Sequence, residues 1–142
     1  MIYSRRTFIY DIGTDDWKKG PSLLRARCQH SSCVIQSDDG TPDSIIIVGG
    51  ETTDDEMINT TEIFKIRDQQ WIPGPPFPCD IRCAACVSLP PAMDFACLVI
   101  GGDTYEDSYS SVVYGLNKSL TSWSRLGNIR KGRQHHIVLP LS

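Results

Sequence analysis

The six cysteines have the widest range of chemistry in this sequence, because thiols form disulfides, bind soft metals and act as nucleophiles. They stand at Cys28, Cys33, Cys79, Cys83, Cys86 and Cys97. Cys83 and Cys86 have the CxxC spacing of zinc and redox sites. Residues 82–89, however, have the composition of a β-strand, in which residues three apart point to opposite faces. The same argument separates Cys28 from Cys33. We therefore expect no metal site.

The length and charge of the chain limit what it can bind. The sequence has 142 residues and a formal net charge of -3, which gives no electrostatic reason to expect nucleic acid or a membrane surface as a partner. The N-terminus lacks the apolar segment of a secretory signal, and the apolar runs 45–48 and 97–100 are too short to cross a bilayer. We expect a cytoplasmic protein with reduced thiols. The one disulfide left open joins Cys86 to Cys97, if they face each other across the hairpin through residues 90–94.

The three histidines, His30, His135 and His136, predict no catalytic centre. His30 and His136 each follow an arginine by three residues, so they recur with the repeat described below and do not converge on one site. The sequence contains no Ser-His-Asp order, no HExxH motif and no phosphate-binding glycine loop. We expect a protein that is not an enzyme and that holds no cofactor.

An internal repeat of about fifty residues organises the chain. Four sets of residues recur at this period. The spacings are 54 and 52 residues for the tryptophans, 54 and 50 for an aromatic series, 55 and 51 for an arginine series, and 52 for two diglycines. The sets are Trp17, Trp71 and Trp123; Tyr10, Phe64 and Tyr114; Arg27, Arg82 and Arg133; and Gly49-Gly50 and Gly101-Gly102.

Each repeat unit contains four short stretches that are rich in β-branched and aromatic residues and are bounded by turn residues. They are residues 28–35, 44–48, 60–66 and 70–72 in the first unit and 82–89, 96–100, 111–116 and 122–126 in the second. A hairpin within residues 7–17 precedes them, and another inner strand is expected at 134–139. Helical periodicity is absent. The sequence therefore predicts an all-β fold.

A strand ending in Gly-Gly, followed by an aromatic residue and then by a Trp, resembles the kelch repeat. The resemblance implies a segment of a kelch-type β-propeller with two complete four-stranded blades, at 27–81 and 82–132. Outer strands of one blade would lie at 1–26, and the first strand of a next blade at 133–142. The structural markers of the repeat are Gly49, Gly50, Phe64, Trp71, Gly101, Gly102, Tyr114 and Trp123. Two positions depart from the pattern: Val112 replaces Glu62 in the second unit, and Ala85 stands where the other units have His.

In a four-stranded meander, the turn into the first strand and the turn between the second and third strands emerge on one face. That face should carry Arg27, Arg82, Arg133 and the carboxylate-rich loops 51–59 and 103–110. The resemblance to kelch-like adaptors implies that the arginines bind a partner protein or peptide, acidic or phosphorylated. Rim contacts would come from Glu51, Asp103 and Tyr105. Alternatively, each arginine pairs with a rim carboxylate or caps local carbonyls.

The resemblance implies a protein-protein interaction module similar to the substrate-recognition propeller of kelch-like cullin-RING ubiquitin-ligase adaptors. Two alternatives remain open. One is a fragment of a kelch-type enzyme, such as a copper oxidase or a sugar-modifying propeller, and the other is a cytoskeletal, actin-binding kelch protein. About three blades fall short of the usual four to eight. We therefore expect a piece of a longer propeller, or a homo-oligomer that pools part-rings.

Overall fold

The computed structural model describes residues 2–141, which form one two-stranded and two four-stranded antiparallel sheets. The hairpin pairs β1 (Phe8–Asp11) with β2 (Asp16–Lys19). The first sheet comprises β3 (Ser31–Gln36), β4 (Pro42–Val48), β5 (Thr61–Lys65) and β6 (Gln70–Pro73). The second sheet comprises β7 (Ala85–Ser88), β8 (Phe95–Ile100), β9 (Val112–Asn117) and β10 (Trp123–Asn128). Both large sheets are meanders, and residues 2–141 contain no helix, so the all-β prediction is confirmed.

The second strand of each large sheet is buried on both faces for most of its length. Ile46, Ile47 and Val48 of β4 are each less than 5% exposed, as is Val99 of β8. β-branched side chains fit a pleated strand that is covered on both sides.

No helix that could span a membrane occurs among residues 2–141.

The main core lies between the two large sheets. Phe77, in the segment that links them, is 1% exposed, and its ring meets those of Tyr114 and Trp123 edge-on at 5.0 Å between centroids. Buried side chains from both sheets join it, Ile35 and Leu116 among them. The linking segment therefore packs between the sheets as part of the core.

The diglycines form the corners at which each sheet meets the chain segment that follows it. Gly50 has φ 103° and donates its N–H to the Ile81 carbonyl at 2.8 Å. Gly102 has φ 101° and donates its N–H to the Arg133 carbonyl at 2.9 Å. A Cβ on Gly50 would lie 2.5 Å from the Cys28 carbonyl oxygen. Only glycine combines this backbone angle with such a close approach.

The first strand of each large sheet begins three residues later than the sequence predicted. Gln29 and Cys83 have left-handed φ values of 55° and 56°, and His135 has 53°. This conformation interrupts an extended strand. The Cys83 N–H bonds to the Gln29 carbonyl and the His135 N–H to the Cys83 carbonyl, both at 2.9 Å. The same left-handed corner thus occurs three times, and each corner bonds to the previous one.

Residues 134–139, predicted as another inner strand, belong to no strand in the structure. A β-strand is held by ladder hydrogen bonds to a neighbour. Within the described residues, no other strand pairs with this segment.

Two tryptophans on the outer strands donate hydrogen bonds to backbone carbonyls earlier in the chain. Trp71 Nε1 donates a hydrogen bond to the Pro21 carbonyl at 3.0 Å, and Trp123 Nε1 donates one to the Pro75 carbonyl at 3.1 Å. Both side chains are half-buried, whereas Trp17 in the hairpin is 65% exposed. The tryptophan spacing therefore marks the repeat correctly, but the packing around each indole differs.

The aromatic series predicted from sequence is wrong at its third member. Tyr10 lies opposite Trp17 and Phe64 lies opposite Trp71. The residue opposite Trp123 is Leu116, not Tyr114. A spacing of 52 residues, the same as that from Trp71 to Trp123, leads from Phe64 to Leu116. The repeat keeps an apolar residue at this position without keeping an aromatic one.

We expect Trp71→Ala to destabilise the chain by about 3 kcal/mol, because it removes a half-buried indole, its ring contact and its hydrogen bond. The repeat-equivalent control, Trp17→Ala, should change the free energy of unfolding by less than about 1 kcal/mol. Urea denaturation followed by circular dichroism measures both. Equal losses for the two variants would contradict the difference in packing described above.

The hairpin exposes an apolar surface, on which Phe8 is 59% and Trp17 is 65% exposed. Uncovered apolar surface of this kind promotes association. We expect the 142-residue chain to bind a hydrophobic dye and to sediment as a dimer or larger species. Replacing both residues by Ser should reduce dye fluorescence and shift the sedimentation towards monomer. A compact monomer that binds no dye would contradict this expectation.

Candidate functional site

Arg82 joins the loops that follow β4 and β8. Its guanidinium makes ion pairs with Glu51, the first residue of loop 51–59, and with Asp103, the first residue of loop 103–110, where Nε lies 2.8 Å from Oδ2. The Arg82 side chain is 33% exposed, whereas the carboxylates of Glu51 and Asp103 are nearly covered. The hydrogen bond to Asp103 is the main cause of a raised pKa of Arg82. The two loops thus form one surface around a single cation.

Tyrosine hydroxyls add further links on this surface. The Tyr3 hydroxyl donates to Asp55 at 2.6 Å and to Glu51 at 2.8 Å, and these bonds, that to Asp55 first, raise the pKa of Tyr3. The Tyr105 hydroxyl accepts a hydrogen bond from the Met57 N–H at 3.1 Å. The Tyr105 side chain is nevertheless 66% exposed, so its ring is free to contact a partner.

Arg27, which we expected on the partner face, lies inside the protein and is 3% exposed. Its guanidinium donates to the carbonyl oxygens of Gly49 at 2.7 Å and Thr60 at 2.9 Å, and to Glu62 at 2.7 Å. Burial lowers the pKa of Arg27 and Glu62 partly offsets this effect. Arg27 therefore follows the alternative interpretation of the sequence, in which an arginine caps local carbonyls and pairs with a carboxylate. Arg27 has no surface with which to bind a partner.

The arginine series predicted from sequence is out of register at Arg82. The Ile81 carbonyl accepts the Gly50 N–H, and the Arg133 carbonyl accepts the equivalent Gly102 N–H. Ile81 therefore corresponds to Arg133, and Arg82 stands one residue further on. Spacings of 54 and 52, those of the tryptophans, lead from Arg27 to Ile81 and Arg133. By the same register, the residue that replaces His30 in the second unit is Ala84, not Ala85.

The position equivalent to Glu62 also differs from the one that the sequence predicted. Glu62 pairs with Ile47 on β4, and the matching residue opposite Val99 on β8 is Tyr114, not Val112. The first unit therefore holds a buried Arg27–Glu62 ion pair where the second holds Ile81 and Tyr114. A buried ion pair and an apolar pair are exchangeable at similar stability when both partners change together.

Arg133 is exposed, and its Nε donates to the Lys131 carbonyl at 3.3 Å. Of the three predicted arginines, one is therefore buried, one is held by two carboxylates and one lies on the surface.

Loops 51–59 and 103–110 contain seven acidic residues and no Lys or Arg. Five of the seven are exposed: Asp54, Asp55, Glu56, Glu106 and Asp107. The face that the two loops form is negatively charged.

A cleft of about 430 Å³ opens beside loop 103–110. Three carboxylates and two tyrosines line it together with small and apolar residues, and no Lys or Arg of the described chain does so. These five residues are Asp80, Glu106, Asp107, Tyr105 and Tyr114. Desolvation and the negative charge of Asp80 and Glu106 raise the pKa of Cys79, which also lines the cleft. Tyr105 is among the residues expected from the sequence, but Asp80 is not, because it lies outside the two carboxylate-rich loops, in the segment before β7.

The cysteines form a group that spacing within one strand did not predict. Cys33 on β3, Cys86 on β7 and Cys97 on β8 have sulfur atoms that all lie within 4.8 Å of one another. The Cys86 thiol donates to Cys33 Sγ at 2.9 Å. Hydrogen bonding with Cys86, and then with Cys97, lowers the pKa of Cys33 to about 5. Hydrogen bonding with Cys33 is the first cause of the raised pKa values of Cys86 and Cys97.

Cys83 lies apart from the thiol group, in contact with Gln29 at 3.6 Å. Cys83 is separated from Cys86 because it lies at the left-handed corner before β7, and not on the strand as the CxxC argument assumed. The expected facing pair was wrong: Cys86 lies opposite Val99, and Cys97 lies opposite Ser88. None of the six cysteines, all of which lie within the described residues, forms a disulfide.

Comparison with known proteins indicates kelch repeats. No family model matches the chain. A 73-residue stretch, 51% of this chain, is 32% identical to a protein from Arabidopsis thaliana whose name describes it as an F-box/kelch-repeat protein. The matched stretch covers 17% of that protein. The similarity is consistent with the repeat seen in the sequence and with an all-β, protein-interaction type of domain.

We expect Glu62→Leu to destabilise the chain by about 3–5 kcal/mol, because it leaves the buried charge of Arg27 without its partner. The double variant Arg27→Met/Glu62→Leu should recover most of that loss, since it makes the first unit apolar like the second. Urea midpoints of the single and double variants measure the coupling. A double variant as unstable as the sum of the two single variants would show that the pair adds no mutual stabilisation.

Proposed function

We propose that this chain is a protein-interaction module built as part of a kelch-type β-propeller. We further propose that the face formed by loops 51–59 and 103–110 binds a basic peptide segment of a partner protein. The acidic or phosphorylated partner expected from the arginines is less favourable here, because Arg27 is buried and Arg82 is already held by Glu51 and Asp103. The setting is the cytoplasm, and the module has no catalytic role.

The observation that carries this proposal is the acidic cleft beside loop 103–110. Asp80, Glu106 and Asp107 line it, and no cation of the described chain neutralises it from within. A Lys or Arg side chain that entered would meet carboxylates and the rings of Tyr105 and Tyr114. Carboxylates and aromatic faces both attract cations, the second through the ring quadrupole. Basic side chains are therefore the ligand that the cleft fits best.

The exposed carboxylates around the cleft extend the same preference over the face. Asp54, Asp55 and Glu56 lie on the neighbouring loop, which the Tyr105–Met57 hydrogen bond joins to loop 103–110. A surface of one sign speeds the encounter with a partner of the opposite sign. Two or more basic residues a few positions apart in a peptide could contact the cleft and the neighbouring loop together.

The propeller architecture is supported by the recurrence of one corner. The corner residues Gln29, Cys83 and His135 share a left-handed conformation and are joined by successive hydrogen bonds, as expected for strands arranged around an axis. The Arabidopsis relative supports the kelch type, and its name combines kelch repeats with an F-box. We propose on this basis that the module selects partners for a larger adaptor, as in the kelch-like ubiquitin-ligase adaptors that its repeats resemble.

Fluorescence anisotropy with three labelled peptides of equal length tests the partner: one rich in Lys and Arg, one rich in Glu, and one phosphorylated. We expect only the basic peptide to bind, with an affinity that falls as salt rises. The variant Glu106→Gln/Asp107→Asn should weaken binding by about 1 kcal/mol, or about 5-fold in Kd. Tyr105→Ala should cost a similar amount through the lost cation–π contact.

The matched control is Asp38→Asn/Asp68→Asn, which removes the same charge from exposed residues in the β3–β4 and β5–β6 turns, at the opposite end of the first sheet. This variant should bind the basic peptide like the unmodified chain. Equal weakening by both double variants would show that only net charge matters. Preference for the acidic or phosphorylated peptide would overturn the basic-partner proposal and return Arg82 and Arg133 to the site.

A further inference from the structure

Three strands of the two large sheets each contribute one thiol to a single cluster. Cys33 comes from the first sheet, and Cys86 and Cys97 come from neighbouring strands of the second. Their sulfur atoms lie within 4.8 Å of one another. Cys97 is fully buried, whereas Cys33 and Cys86 are half-buried, so the cluster has a closed side and an open side. The cluster lies apart from the acidic face and plays no part in the function proposed above.

The spacing of these sulfurs fits one metal ion between them. With metal–sulfur bonds of about 2.3 Å, three sulfurs around a trigonal ion are about 4 Å apart. The cluster reaches that arrangement if the Cys33–Cys86 pair, now 2.9 Å apart, separates by about 1 Å.

The kind of ion follows from the number and softness of the ligands. Thiolates favour monovalent copper and zinc over harder cations. Structural zinc sites use four protein ligands in a tetrahedron. Among residues 2–141, no His, Cys, Asp or Glu joins the three sulfurs as a fourth ligand. Three sulfurs complete the shell of a trigonal monovalent copper ion.

We propose that Cys33, Cys86 and Cys97 form a binding site for one monovalent copper ion at the junction of the two large sheets. Each sulfur binds as the thiolate, any proton that it still carries passes to water, and no oxidant or reductant is consumed. The ion would connect β3 to β7 and β8 and would hold the two sheets together. Binding therefore stabilises the folded chain by mass action.

Titration of the full 142-residue chain with monovalent copper, without oxygen and against a chromophoric copper chelator, tests the site. We expect one ion per chain, a higher unfolding temperature with copper, and three sulfur neighbours by X-ray absorption. Cys33→Ser and Cys86→Ser should each lower the affinity by more than the ~10–100-fold that loss of an outer-shell partner costs. The matched control is Cys79→Ser, a half-buried thiol outside the cluster, which should leave affinity unchanged.

Retention of copper by the Cys33→Ser/Cys86→Ser variant, or equal loss in the Cys79→Ser control, would overturn the proposal. The sulfur count on the unmodified chain needs no variant, so it decides the matter even if a substitution disturbs folding. A count of two would exclude the three-sulfur site. Zinc bound more tightly than copper, in the same competition format, would exclude the assignment to monovalent copper.

Discussion

The rest of the structure depends on the hydrogen bond that each diglycine makes to the chain segment leading into the next unit. Gly50 and Gly102 follow the second strand of each large sheet with positive φ values and donate their N–H groups to the carbonyls of Ile81 and Arg133. A Cβ on Gly50 would lie 2.5 Å from the Cys28 carbonyl oxygen, and one on Gly102 would lie 2.9 Å from the Ala84 Cβ and 3.0 Å from the Arg82 carbonyl oxygen. Neither position therefore has room for a side chain. Because these bonds connect one unit to the next, they set the position of each following first strand, and with it the loops that form the acidic face.

Arg27 in the first unit and Ile81 in the second occupy equivalent positions, but their side chains make different kinds of contact. The first unit buries Arg27 against Glu62 and two carbonyls, and the second places Ile81 and Tyr114 there. Each solution leaves no buried charge unpaired, which is the condition that low-dielectric interiors impose. The apolar solution has a consequence for the surface. The cation of the second unit, Arg82, stands one residue later and is held between two loops instead of inside a sheet junction.

Much of the fold could be predicted from the sequence, and the candidate site only in part. Strand composition and turn residues locate the strands of both sheets, and the sequence also indicates the carboxylate-rich loops and Tyr105. The left-handed corners at Gln29 and Cys83 were missed, because no glycine marks them. The predicted arginine register is wrong at Arg82, because residues of one type need not occupy equivalent positions in successive units. The spacing of 54 residues from Trp17 to Trp71 leads from Arg27 to Ile81 instead.

The sequence by itself determined the all-β class and the period of the repeat, because alternation, turn residues and glycine corners are local or strictly periodic signals. Only the tertiary structure decided which polar groups are buried and which converge. Arg27 and Arg133 look alike in the sequence, yet one is enclosed by Glu62 and carbonyls and the other is exposed. Cys33 and Cys86 are more than fifty residues apart and meet only because two sheets pack against each other. Contacts between sheets depend on packing, which residue spacing within a strand does not encode.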